Sequence, residues 1–330
     1  MTQPIRWGIL STGSIAHAFA SAIQYMPDAD AVLTAVGSRT QHKADAFGAQ
    51  YDIPNRHASY DALANDPAVD VIYIATPHIF HHENMLLCLN AGKHVLCEKA
   101  FTINAHEAEA AINLARQKNL FLMEAMWTRF IPAIQQLREW VQAGKIGEVQ
   151  HIRANFHHHL GYDPSSRIFD PALGGGALLD LGIYPLSFTS MLLGSPQRIR
   201  SEVKLAPTGV DELASLLLGY DSGAQAALSF GTLTSTPIDA AVLGSAGTIY
   251  VHPRFLHSER LTFYPAHGDP ETLDVPFEHN GYQYEAHEVG RCIRAGKLES
   301  ATMPLDETLA LMRQMDAIRT DWGVTYPTET

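Results

Sequence analysis

A chain of 330 residues with 46% hydrophobic and 18% charged residues can bury a sizeable core, which excludes a disordered polyelectrolyte. Its length suggests about two domains. With 23 basic against 35 acidic residues the formal charge is −12, which offers neither nucleic acid nor an anionic membrane a basic face, although a few local cations can still hold an anionic ligand.

The segment MTQPIRWGIL has no basic stretch followed by a long apolar run, so no signal peptide is expected and the cytoplasm is the expected location. Cys88, Cys97 and Cys292 show no paired or metal-ligand spacing and sit among apolar neighbours. They read as buried free thiols.

Along the first 125 residues, short apolar runs alternate with segments of helical spacing. Trp7–Leu10, Val32–Val36, Val69–Ala75, His94–Cys97 and Leu120–Met123 read as buried strands. Ser14–Tyr25, Thr40–Gln50, Phe80–Ala91 and Asn104–Lys118 read as helices. Asn104 with Glu107 fits a capping box, and Gly92 stands where a helix ends. This alternation predicts an α/β fold with a parallel sheet wound on both faces, a Rossmann-type domain over residues 1–123. The rhythm then changes. Gly147–Phe156 reads as a strand and Gly174–Leu193 as one long helix, interrupted as an apolar run by Asp180, Tyr184 and Pro185 and so too short to span a membrane. Strands with short turns follow from Ile199 to Val275, including a hairpin of Glu212–Tyr220 and Ala224–Thr232 across Asp221-Ser222-Gly223. Helices are predicted near Tyr284–Ala295 and Pro304–Trp322. Residues 124–330 are therefore expected to form an α+β domain with a large, mostly antiparallel open sheet.

The first strand runs into Ser11-Thr12-Gly13-Ser14-Ile15-Ala16. A dinucleotide fold needs a tight turn there, close backbone approach at Gly13, and a small residue, Ala16, where helix meets strand. An ordinary βα turn is the plainer alternative. The second strand ends in Gly37-Ser38-Arg39-Thr40, with no carboxylate for a ribose 2′-hydroxyl. A hydroxyl and a guanidinium suit a 2′-phosphate, which favours NADP, with NAD the alternative. The next strands end in Ala75-Thr76-Pro77-His78, with His81 after it, and in Cys97-Glu98-Lys99-Ala100, at the edge where ligands of open α/β sheets bind. Lys99 there is either a surface lysine or a cation for a developing alkoxide. Asp180 and Tyr184, four apart on the predicted helix, are either a structural hydrogen-bonded pair or a proton-transfer pair. The proline at 185 removes a helical hydrogen bond and predicts a bend. His157-His158-His159 alternate across a strand and make a poor metal site, so no metal is expected.

These stretches together resemble the glucose–fructose oxidoreductase, inositol dehydrogenase and rhizopine-catabolism (Gfo/Idh/MocA) oxidoreductase family: W-G-I-L-S-T-G-S-I-A, V-G-S-R, A-T-P-H-I-F-H-H-E, A-G-K-H-V-L-C-E-K, M-E-A-M-W-T-R-F and G-G-G-A-L-L-D-L-G-I-Y-P-L. The tyrosine form of the last motif most resembles the branch of dimeric dihydrodiol dehydrogenases and NADP-dependent D-xylose dehydrogenases. The resemblance implies that Lys99 sits at the reacting carbon and that Tyr184 transfers the proton, with Asp180 beside it. It places Thr76, His78, His81 and Glu98 along the cofactor, and Trp127, Arg129 and Arg167 near nicotinamide or substrate. It implies an NADP-dependent dehydrogenase or reductase acting on a secondary alcohol of a sugar, polyol or cyclic diol, and a homodimer or homotetramer formed through the second domain's sheet. An NAD(P)-dependent glycosidase working by transient oxidation, or a non-catalytic NADP-binding regulator, are the alternatives. Two positions depart from the pattern. Ser11 replaces the first loop glycine, which is tolerable if its backbone angles stay ordinary, and Ala100 replaces the proline after the lysine.

Overall fold

The apolar runs of the first 125 residues become strands because they are continuous and β-branched, and the helices between them cover both sheet faces. The computed structural model describes residues 3–329. In chain order the first elements are β1 (Ile5–Leu10), α1 (Ser14–Tyr25), β2 (Ala31–Gly37), α2 (Gln41–Gln50), β3 (Asn55–His57), α3 (Tyr60–Ala64) and β4 (Val71–Ile74). Then come α4 (His81–Asn90), β5 (His94–Glu98), α5 (Ala105–Lys118), β6 (Leu122–Ala125) and α6 (Pro132–Gln142). The rest are β7 (Val149–His157), α7 (Ile183–Leu193), β8 (Arg198–Leu205), β9 (Asp211–Gly219), β10 (Gln225–Gly231), β11 (Ala240–Gly244), β12 (Gly247–Val251), β13 (Arg260–Pro265), β14 (Glu271–Asp274), α8 (Tyr282–Arg294) and α9 (Leu305–Trp322).

The chain divides into two units, Met1–Trp127 with Glu278–Leu309, and Thr128–Phe277 with Ala310–Thr330. The first holds a six-stranded sheet in the order β3-β2-β1-β4-β5-β6, with every pair parallel. The order reverses between β1 and β4, and a crevice at the carboxyl ends there is where such sheets bind ligands. β4 and most of β5 are buried. Phe19 of α1 stacks on Tyr73 of β4 (ring centroids 3.8 Å apart) and meets Trp7 of β1 edge-on at 5.1 Å, contacts of about 0.5–1.5 kcal/mol each beyond area burial. Asn104 caps α5 by accepting from Glu107 N–H at 2.9 Å, as the capping box predicts. Asn119 ends that helix in a left-handed conformation. The short β3 and α3 were not evident from periodicity, because three residues and five residues carry too little pattern.

The second unit holds an eight-stranded sheet in the order β14-β13-β12-β11-β7-β10-β9-β8, antiparallel except for β7 with β10. The hairpin of β9 and β10 forms as predicted. Alternation along its strands turns Ala214, Leu216, Leu218, Ala226, Leu228 and Phe230 inward, while Leu217 is 60% exposed on the other face. The inner face is covered by the helix that carries Asp180 and Tyr184.

That helix differs from the single run expected over Gly174–Leu193. Gly174 (φ 70°) closes a turn at Pro171–Leu173, Gly176 has φ 123°, and helix proper begins with a π-helical turn at Leu178–Gly182 that leads into α7. The N–H of Ile183 reaches back five residues to Leu178 O. A widened turn directly before Pro185 absorbs the missing donor that a regular helix would lack. Pro171–Leu193 is also the one run among the described residues with the length and apolarity to cross a membrane, and most of it is buried inside the protein.

Candidate functional site

In the first unit, β1 delivers Ser11-Thr12-Gly13 to the start of α1. Gly13 is the N-cap residue, no side chain caps the helix, and its first turn carries no acid. A Cβ built at Gly13 would meet only Ser11 Oγ, at 4.0 Å, so these N–H groups are open to an anion. Ser14 and Ile15 form the first turn, and Ala16 is fully buried where helix meets sheet. Ser11 has φ 96°, so the condition of ordinary backbone angles is not met here. The turn demands the conformation a glycine takes freely, and the serine adopts it at a cost of order 1 kcal/mol or more.

The end of β2 completes this corner. Ser11, Thr12, Gly13, Ser38, Arg39, Thr40, Lys43 and Tyr60 line a cavity of about 310 Å³. Ser38 is buried, while Arg39 and Lys43 are exposed. Burial raises the Tyr60 phenol, opposed by the positive charge of Arg39 and a hydrogen bond with Ser11. No carboxylate lines the cavity. Motif reading missed Lys43 and Tyr60. Lys43 lies four residues beyond Arg39 in the first turn of α2, a spacing that was legible, whereas Tyr60 arrives from beyond β3 and needs the fold.

At the ends of β4 and β5, Thr76, His78 and Glu98 are buried and Lys99 is half-buried. Tyr73 donates to one oxygen of Glu98, and Lys99 N–H donates to the other at 3.1 Å. Glu285 of α8 is fully buried nearby and pushed well above the usual carboxylate range by desolvation first and by the charge of Glu98 second. His81 is fully buried. Its ring nitrogens lie 2.7 Å from Thr76 O and 2.9 Å from Ala100 O, so the chain itself uses both, tying the end of β4 to the residue after Lys99. Burial lowers its pKa. The Lys99–Ala100 peptide bond is cis. Trp127 stacks on Tyr282, centroids 4.9 Å apart.

In the second unit, Asp180 and Tyr184 are 6% and 8% exposed. Asp180 lies in the π-helical turn and Tyr184 in the first turn of α7, so the two do not share one regular α-helical face. Arg167 donates to Asp180 Oδ1 at 3.0 Å, a pairing that the 13-residue separation hid in the sequence. The Tyr184 ring packs on Phe156 at 5.5 Å. Arg129 is buried and donates to Ser187 Oγ and Ser187 O at 2.8 and 2.9 Å, pinning α7. His157 points inward to Thr234 and Ser229, whereas His158 and His159 are exposed. Among the described residues no group of three or more His, Cys, Asp or Glu is placed to hold a metal ion.

A cationic corner with open helix-start N–H groups on a parallel sheet, and a lysine at a neighbouring strand end, is an arrangement suited to a nucleotide-dependent oxidoreductase, and comparison with known proteins gives that class. Residues 5–126 match the oxidoreductase family with an NAD-binding Rossmann fold, and residues 134–250 match the GFO/IDH/MocA C-terminal domain. The chain belongs to the Gfo/Idh/MocA family and is an NAD(P)-dependent oxidoreductase. It is similar to trans-1,2-dihydrobenzene-1,2-diol dehydrogenase of Homo sapiens (38% identical) and of Mus musculus (36%), in each case over 98% of both chains. Among solved structures it resembles KijD10, a 3-ketoreductase from Actinomadura kijaniata in complex with NADP and TDP-benzene, at 25% identity and a TM-score of 0.85, over 96% of this chain and 98% of that one. An NAD-binding oxidoreductase from Klebsiella pneumoniae, 22% identical, shares the fold with a TM-score of 0.88 over 97% of each chain.

Proposed function

We propose that the chain oxidises a secondary alcohol of a cyclic diol or sugar, or reduces the matching ketone, with NADP as the preferred nucleotide. The observation that carries the nucleotide choice is the charge of the corner beyond β2, where Arg39 and Lys43 line the cavity with Ser38 and no carboxylate does. Full-length similarity to diol dehydrogenases, with a 3-ketoreductase as structural neighbour, supports the substrate class.

Ser11 to Ile15 are assigned to the pyrophosphate and Ser38 with Arg39 to the 2′-phosphate. Thr76, His78, Glu98 and Trp127 are assigned to the nicotinamide half. His81 and Arg129 act through the backbone they hold. When bound, the nicotinamide supplies or accepts the hydride. In oxidation Tyr184 Oη takes the hydroxyl proton, and in reduction it returns it. A phenol with an ordinary pKa near 10 is a poor base at neutral pH, so this role needs a cation at the reacting oxygen, which we assign to Lys99 Nζ. Asp180, held by Arg167, orients the phenol.

Two further assignments accompany this reading. The exposed sheet face around Leu217, Arg153 and Arg200, with its cavity of about 740 Å³, is assigned to contact between copies in a homodimer. A monomer by light scattering would overturn that. Three buried free thiols suit a reducing compartment, the cytoplasm.

The test is absorbance at 340 nm with NADP and NAD in parallel, against trans-dihydrodiols, pyranoses and polyols. Turnover with NADP, and a loss of roughly 100-fold or more in Tyr184→Phe, are expected. NADP binding with no turnover across the panel would refute the reading.

A further inference from the structure

The helical segment that carries Asp180 and Tyr184 has no side-chain cap of its own. A carboxylate from the sheet takes that place. Asp211, the first residue of β9, is fully buried, and its Oδ2 accepts from Leu178 N–H at 2.6 Å. The Ala177 N–H adds a further favourable interaction with the ionised carboxylate. A Cβ on Gly176 would lie 2.2 Å from Asp211 Oδ1, and the φ of 123° there independently demands glycine. The loop is held from its other side by Tyr326, whose hydroxyl donates to Gly175 O at 2.8 Å. Arg319 lies 4.6 Å over the Tyr326 ring and pairs with Asp316 and Glu329 at 2.8 and 2.9 Å.

We propose that Asp211 is a positioning residue for the oxidoreductase reaction: its carboxylate fixes the start of the segment bearing Asp180 and Tyr184, and protonating it releases that hold. The proposal rests on reading those two residues as the proton-handling pair. The charged or titratable groups that face Asp211 are Arg319 and Tyr326. Desolvation raises the carboxyl to about 6, against the N–H groups of Leu178, Asp211 and Ala177 and the charge of Arg319, which pull it down. Above that pH the ionised group accepts strongly from the Leu178 N–H at the helix start. Below it the neutral acid is a weaker acceptor, and the segment loosens by two residues before Asp180.

An amide of the same shape should imitate the protonated form at every pH. Asp211→Asn is therefore expected to lower kcat by about 10- to 100-fold at pH 8, the order that a misplacement near 1 Å produces. The KM for the nucleotide should be unchanged, and the loss of kcat expected in the wild type below pH 6 should be absent from the variant. Circular dichroism establishes that the variant is folded. A second readout does not use turnover. In 3-fluorotyrosine-labelled protein, the ¹⁹F resonance absent from Tyr184→Phe reports residue 184. In the wild type it should shift with a midpoint near pH 6, and in Asp211→Asn that shift should be gone. A shift that persists in Asp211→Asn, or none in the wild type, overturns the proposal. Full activity in Tyr184→Phe would instead overturn the role given to Tyr184, while the resonance still decides whether Asp211 positions it.

Discussion

Arg39 and Lys43 are four residues apart across the start of α2 and exposed, and they line one cavity with the buried Ser38. A phosphate there would receive a bidentate guanidinium bond and a point charge, each screened by solvent but strengthened by the N–H groups at the start of α1. Charge-assisted bonds of about 1.5–3 kcal/mol correspond to roughly 10- to 100-fold in affinity. Arg39→Ala is expected to raise KM for NADP by that factor and to leave KM for NAD nearly unchanged, and Lys43→Ala should do the same more weakly. Steady-state kinetics with both nucleotides checks this, and equal weakening of both would contradict it. Ser38 and Arg39 were legible because a strand end followed by a helix has only one place for a recognition residue. The φ of Ser11 was not, since a side chain does not announce the backbone angle it is forced into.

At the scale of elements, the strands and helices of the first unit other than β3 and α3 were legible because period and length agreed, with capping residues in support, as at Asn104. The helix of the second unit was legible as a helix but not in its start. Gly174 to Gly176 read as an entry to it, yet two of these glycines have positive φ, one turning out of Pro171–Leu173 and one admitting Asp211. Gly182, between Asp180 and Tyr184, has a different reason. A Cβ there would lie 2.8–3.0 Å from three carbons of the fully buried Phe230 ring. The helix must pass this close to β10 to bring Tyr184 onto Phe156. In Gly182→Ala the helix gains about 1 kcal/mol in propensity, against about 1–3 kcal/mol for overpacking. Net stability should therefore change by less than about 2 kcal/mol. Phe230 is fully buried, so the helix is expected to move rather than the ring, and kcat should fall by about 10-fold with nucleotide affinity retained. A variant with unchanged kcat would show that the ring, not the helix, yields.

Across the whole molecule, buried and half-buried carboxyls pull stability in opposite directions as pH changes. Burial would raise Asp70 and Asp66, but the hydrogen bonds from Arg6 to Asp70, and from His57, Ala68 and Asn55 to Asp66, outweigh it and hold both below the usual range. These two contribute stability above the unfolded carboxylate pKa and lose it as pH falls. Asp211 is the reverse case. With its folded value raised to about 6, the native state binds this proton more tightly than the unfolded chain. Its contribution is fully present below the ordinary value near 4 and is lost as pH rises through 6, up to about 3 kcal/mol. Asp211→Asn removes this loss and leaves Asp66 and Asp70 in place. The melting temperature of the variant relative to the wild type should therefore be higher at pH 7.5 than at pH 4.5, by several degrees at about 2–4 °C per kcal/mol. Calorimetry at the two pH values measures it, and a difference that stays constant between them would mean that Asp211 ionises no differently in the folded protein than in the unfolded chain. The same substitution is then expected to make the protein more stable at neutral pH and less active, because the buried charge that fixes the start of the Tyr184 helix is the one whose desolvation opposes folding.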